Sequence, residues 1–204
     1  MRKIWFLAGM LAAIGACGFG GRHVGTGAPA IGNGICGTRS VIGERIAPIQ
    51  QGACGIANPV RITSVAGVRL SQPATLDCQT VRALEQWAVD TAIPAVGGSR
   101  GGLAELTVAA SYACRGRNRQ AGARMSEHGL GKAIDISGFV TGDGTRVTVE
   151  GDWGFFGRAA RVLKQMRGGA CGTFGTVLGP GSDAYHHDHL HFDVAQYRSG
   201  PYCK

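Results

Sequence analysis

Seven cysteines mark the 204-residue chain, at Cys17, Cys36, Cys54, Cys78, Cys114, Cys171 and Cys203. They constrain the fold more than any other feature. No two of them form a C-x-x-C pair, which argues against a zinc knuckle or a thioredoxin-like motif. An odd count in an exported chain requires one cysteine with a separate fate. The remaining six can then close three disulfides, with the pairing left open by the sequence.

The N-terminus indicates export and supplies the odd cysteine. Met1-Arg2-Lys3 is positive, and Ile4 to Ile14 is an apolar stretch of 11 residues. As a helix that stretch reaches only about 17 Å, short of a hydrocarbon core of about 30 Å. It reads as the apolar region of a secretory signal. The following Ile14-Gly15-Ala16-Cys17 looks like the lipobox of bacterial lipoproteins, where the chain is cut before the cysteine and the thiol is acylated. The expectation is a lipoprotein signal over residues 1–16, a membrane contact through lipid at Cys17, and a location in the periplasm or cell envelope. That compartment is oxidising and permits disulfides. A bridge at Cys114 would fix the loop that carries Arg115, and one at Cys203 would tie down the C-terminus.

Composition narrows the class. Apolar residues are 44% and charged residues 17%, a globular balance. Past the leader, no apolar run approaches the about 20 residues of a spanning helix. A multi-pass membrane protein, a coiled coil and collagen are excluded. Loss of Arg2 and Lys3 with the leader takes the formal charge from +8 to +6. Such an excess suits an anionic cell-wall polymer or membrane surface; export argues against nucleic acid. Residues 17–35 are glycine-rich and read as a flexible tether. Residues 36–204 then form one domain.

Within that domain, Val60-Arg61-Ile62 and Val68-Arg69-Leu70 read as short strands. Residues 76–93 have helical apolar spacing, with Asp77 in a capping place and Trp87 as core. Residues 106–112 and 133–140 read as strands, the latter turning through Gly142-Asp143-Gly144 into a partner at 146–149. An arginine-rich loop with Arg115, Arg117, Arg119 and Arg124 lies between them. Residues 154–166 fit an amphipathic helix, and 174–178 and 189–194 fit the last strands. The class is α+β, a small antiparallel sheet with flanking helices.

The histidines are clustered. Beyond His23 in the tether there is His128, and then His186, His187, His189 and His191 within six residues. On a strand, His189 and His191 would share a face while Leu190 and Phe192 enter a core. Ser126-Glu127-His128 and Asp135 supply further donors. Imidazole and carboxylate are good zinc ligands, and three protein ligands leave a position for water. The run H-H-D-H-L-H differs from the H-x-H-x-D-H order of metallo-β-lactamases, because Asp188 precedes the H-x-H.

Ser126, His128, Gly131, Ala133 and Asp135, followed by His189 and His191, form an S-x-H-x2-G-x-A-x-D element with a late H-x-H. This resembles the LAS metallopeptidases, which include D,D-carboxypeptidases, the penicillin-insensitive murein endopeptidase and the Hedgehog signalling domain. The spread of motifs from Cys54 to Cys203 is similar to the bacterial extensin-like C-terminal domain family. The quoted elements there are Ser111-Tyr112-Ala113-Cys114-Arg115, Asp152-Trp153, the run 176–184 and Tyr202-Cys203. The resemblance implies a LAS/Hedgehog-like fold and zinc on His128, Asp135 and His191. It implies that Arg115 holds the carbonyl oxygen. Asp188 stands where many relatives have a glutamate, one methylene longer, and Asp188 or His189 is the base.

The function expected is zinc-dependent hydrolysis of peptide bonds in peptidoglycan stem peptides or their crosslinks. The alternative is a non-catalytic peptidoglycan-binding module that retains the zinc site.

Overall fold

The structure, a computed structural model, describes residues 32 and 34–204, with residue 155 excepted. The leader, Cys17, most of the tether and His23 lie outside the described residues. The domain opens with strands β1 (Val41–Arg45), β2 (Ile49–Gln51), β3 (Cys54–Ile56), β4 (Val60–Val65) and β5 (Val68–Leu76). Helix α1 (Cys78–Trp87) continues through a π-helical turn (Ala88–Ala92) into α2 (Ile93–Val96). Strands β6 (Leu103–Ala110), β7 (Ala133–Thr141) and β8 (Arg146–Thr148) follow. Then come α3 (Val149–Asp152), α4 (Arg158–Gly168), β9 (Thr176–Leu178), β10 (Leu190–Asp193) and β11 (Tyr202–Cys203). Among the described residues, no helix is long and apolar enough to cross a membrane.

Nine strands form one sheet in the order β1-β4-β5-β6-β7-β10-β9-β11, with β8 also on β7. One edge of β7 is shared: residues 133–136 pair with β10 and residues 138–140 with β8. The mixed α/β character agrees with the sequence. The sheet is larger than the small antiparallel one expected, and it is mixed, because β5–β6 and β9–β11 are parallel. The β5–β6 pairing follows from its connection: α1 and α2 lie between the two strands and provide the crossover that parallel neighbours need. Strand β9 falls within the stretch 174–178 read as a strand, whereas β11 has only 2 residues, too few to carry a readable alternation.

Local chemistry sets the helix boundaries. The Asp77 side chain accepts hydrogen bonds from the Thr80 backbone N–H at 2.8 Å and the Thr80 hydroxyl at 2.7 Å, as an N-cap does. The helical stretch runs on to Val96 although Pro94 interrupts it. Proline has no N–H to donate, and the π-helical turn just before it absorbs the broken ladder. Helix α4 starts at Arg158 rather than 154 because Gly157 sits at φ 135°, outside the helical region.

The core fills the space between the helices and one sheet face. Trp87, fully buried, meets Phe192 edge-on at 5.0 Å, and Phe174 stacks on Phe192 at 5.1 Å. The Trp87 indole N–H donates to the Met166 carbonyl at 2.9 Å, so its one polar atom is satisfied. Burial of each such side chain contributes roughly 1.5–3 kcal/mol. Three disulfides staple the domain: Cys36–Cys78, Cys54–Cys114 and Cys171–Cys203.

Candidate metal centre

The site is built where β10 and β7 meet. Leu190 and Phe192 face the apolar core, and the two-residue period of a strand turns His191 and Asp193 to the opposite face. In the antiparallel pairing His191 stands directly opposite Asp135, so the two project to the same side. Ile134 and Ile136, both buried, fix Asp135 in that orientation.

His128 arrives from a tight 3-10 turn, Glu127–Leu130, just ahead of β7. The Ser126 hydroxyl caps that turn by accepting from the His128 backbone N–H at 3.4 Å. Gly131 ends it at φ 67°, and a Cβ there would overlap the Ile56 side chain. At Gly129 a Cβ would lie 2.7 Å from the Met125 sulfur and 2.9 Å from Sγ of Cys54. The two glycines therefore let the histidine turn press against β3 and the Cys54–Cys114 bridge.

His128, Asp135 and His191 are all buried, and one donor atom from each lies within 4.8 Å of the others. His128 Nε2 is 3.2 Å from His191 Nδ1 and 3.1 Å from Asp135 Oδ2. His191 Nδ1 is 2.8 Å from Asp135 Oδ1. Ligands at tetrahedral zinc distances stand about 3.3 Å apart, close to this spacing. The outer nitrogens decide how the rings are used. His128 Nδ1–H donates to the Ser111 carbonyl at 2.6 Å, which can only accept. His191 Nε2–H donates to Asp193 at 3.2 Å. Both rings thus have an acceptor behind them and, once neutral, a lone pair in front, the arrangement of metal-ligating imidazoles. Three electron-pair donors converge on one point, and the set fits a divalent cation.

The electrostatics agree. Burial opposes charge on Asp135, yet hydrogen bonds and charge from His128 and His191 hold it far below the usual carboxylate range. Burial opposes charge on His191 too, but Asp135 and Asp193 outweigh it and push its pKa up to about 9. A cation seated between the donors would take the place of that proton.

The other sequence-nominated residues surround this triad. His189 lies one residue ahead of β10 rather than on it. Its Nε2 is 3.7 Å from Asp135 Oδ2, and its Nδ1–H donates to Asp188 at 2.7 Å. Asp188 is held below its usual range first by that hydrogen bond. Arg115 lines the same cleft as His128 and His191, a cavity of about 560 Å³. The structure thus brings together all six residues picked from the sequence.

Three participants were missed. His186 is buried; its ring lies 5.3 Å from His189 and 5.5 Å from His191, and its Nδ1–H donates to Asp183 at 2.7 Å. The histidine run contained it. Asp193 was legible as the residue two after His191 on the same strand. The Ser111 carbonyl carries no side-chain signal.

The family model described as extensin-like protein C-terminus matches residues 36–204. No curated protein and no solved structure matches the chain.

Proposed function

The chain belongs to the extensin-like protein C-terminus family, and we propose that it is a zinc-dependent peptidase acting on stem peptides or crosslinks of peptidoglycan. The observation that carries this reading is the buried His128–Asp135–His191 triad with both outer imidazole nitrogens already engaged. It opens on a cleft large enough for a peptide segment. Zinc in such a set supplies Lewis acidity, which acidifies water and polarises a carbonyl.

The chain's own residues supply the proton handling. His189, with its Nδ1–H fixed on Asp188, presents Nε2 toward Asp135. In that tautomer Nε2 accepts a proton from the attacking water and returns it to the leaving amine. Asp188 orients the ring and stabilises its charged form, the division of labour of an Asp–His pair. Arg115 stabilises the oxyanion from the cleft wall. The six mature cysteines, the leader and the basic balance support an envelope location and a lipid anchor at Cys17.

Digestion of isolated sacculi by zinc-loaded protein, followed by muropeptide separation, tests the proposal. New peptide-cleaved products are expected. Binding to sacculi without products would replace it with the non-catalytic wall-binding module.

A further inference from the structure

Beyond Arg115, the arginine-rich loop has no part in the chemistry above, yet it borders the same cleft. Residues 115–126 form a hairpin: Gly116 bridges Met125, Arg117 N–H donates to the Arg124 carbonyl at 2.9 Å, and Ser126 N–H donates to the Arg115 carbonyl at 3.1 Å. The Cys54–Cys114 disulfide anchors its base. At its tip the Gln120 amide donates to the Tyr185 hydroxyl at 2.7 Å, joining it to the loop that carries His186. The hairpin is therefore held in place over the cleft. It contains four arginines and no acidic residue before Glu127.

Arg115, Arg117 and Arg119 line the cleft together with His128 and His191. Among the described residues the carboxylate ion-paired with them is Glu127, 3.7 Å from Arg117; Asp183 and Asp193, which also line the cleft, are bonded to His186 and His191 instead. Arg115 Nε is buried with no hydrogen-bond partner among the described residues. Asn118 and Arg119 are held at φ 54° and 56°, a conformation that costs non-glycine residues energy and that gathers where a loop has a task.

We infer that this hairpin is a carboxylate-recognition wall that selects peptides carrying free carboxylates beside the scissile bond, with Arg117 and Arg119 as the specificity-determining residues. The inference rests on the peptidase reading for the scissile bond, while binding can be read without turnover. Guanidinium forks match carboxylates in charge and shape, and a site built for carboxylate disfavours its neutral amide. Amidation of a stem-peptide carboxyl would then act as a substrate filter.

The experiment is calorimetric titration of the purified, zinc-supplemented protein with the peptide Ala-Glu-Ala-Ala. The same peptide with both carboxyls amidated is titrated beside it. The free acid is expected to bind about tenfold tighter, and its affinity to fall as salt rises from about 50 to about 500 mM. In the doubly substituted R117Q/R119Q protein, shown folded by circular dichroism, the preference falls below about threefold and KM rises while kcat holds. Equal binding of the two peptides, binding of neither, or an unchanged preference in the double variant overturns the inference. A preference without cleavage keeps the wall and removes the peptidase. Cleavage of both peptides with equal KM does the reverse.

Discussion

Residues a few ångströms apart in this site have different tasks, and substitution separates them. His191→Ala removes a metal donor that stands opposite Asp135 and should lose both metal and activity. His189→Ala and Asp188→Asn should keep most of the metal and lower turnover by roughly 10²–10⁴-fold. Metal analysis and rates on the three proteins in parallel check this; loss of metal from His189→Ala with retention in His191→Ala reverses the assignment. The proton economy gives a second prediction. His191 without metal has its pKa raised to about 9, so near neutrality it carries an extra proton that a cation must displace. The sign follows: below about pH 9, apparent metal affinity weakens about tenfold for each pH unit lost, one proton being released per ion bound. Titrations in buffers of different ionisation enthalpy read that proton directly, and a pH-independent affinity between pH 6 and pH 8 would contradict it.

At the scale of elements, the histidine turn is the part with least tolerance. Gly131 combines φ 67° with a Cβ direction already filled by Ile56. Gly131→Ala should destabilise the fold by roughly 1–3 kcal/mol and weaken metal binding by tilting His128. Denaturant unfolding with metal titration checks both effects. The site's core was legible because it rests on short-range regularities. A strand period placed Asp135 between two isoleucines; the same period put His189 and His191 on one face, the choice of His191 came from the family resemblance, and the strand in fact starts at Leu190, after His189. What escaped the sequence depends on contacts between distant segments. His186, held by Asp183 only three residues earlier in a loop with no strand or helix period to read, is a local exception, whereas the Ser111 carbonyl behind His128 comes from 17 residues away. The parallel pairing of β5 with β6 escaped for the same reason: two residue pairs of register, Arg69–Glu105 and Leu70–Leu106, join strands separated by a helix.

For the whole molecule, the three bridges are distributed so that each fastens a different part. Cys36–Cys78 ties the start of the domain to α1, Cys54–Cys114 ties β3 to the base of the arginine hairpin, and Cys171–Cys203 holds the C-terminus. Each closed loop is worth about 2–4 kcal/mol. Replacing Cys54 and Cys114 by serine should lower stability by that amount and also weaken metal binding, since His128 packs its turn on this bridge; thermal and metal titrations of the double variant read the two losses separately. Six thiols blocked to alkylation before reduction, and free after it, are expected of the native protein.

The Cys171–Cys203 bridge has a further consequence. It pins a strand of two residues along β9, and that short strand is the last member of the sheet. Without the covalent tie, two residues of pairing are too few to stay in place, and the backbone of β9 becomes a bare edge open to another chain. Protein made or stored under reducing conditions should therefore associate edge to edge and scatter light as its concentration rises. The oxidised protein should stay clear. A bond near the end of the chain would in that way decide its colloidal fate, even though it lies outside the His128–Asp135–His191 triad.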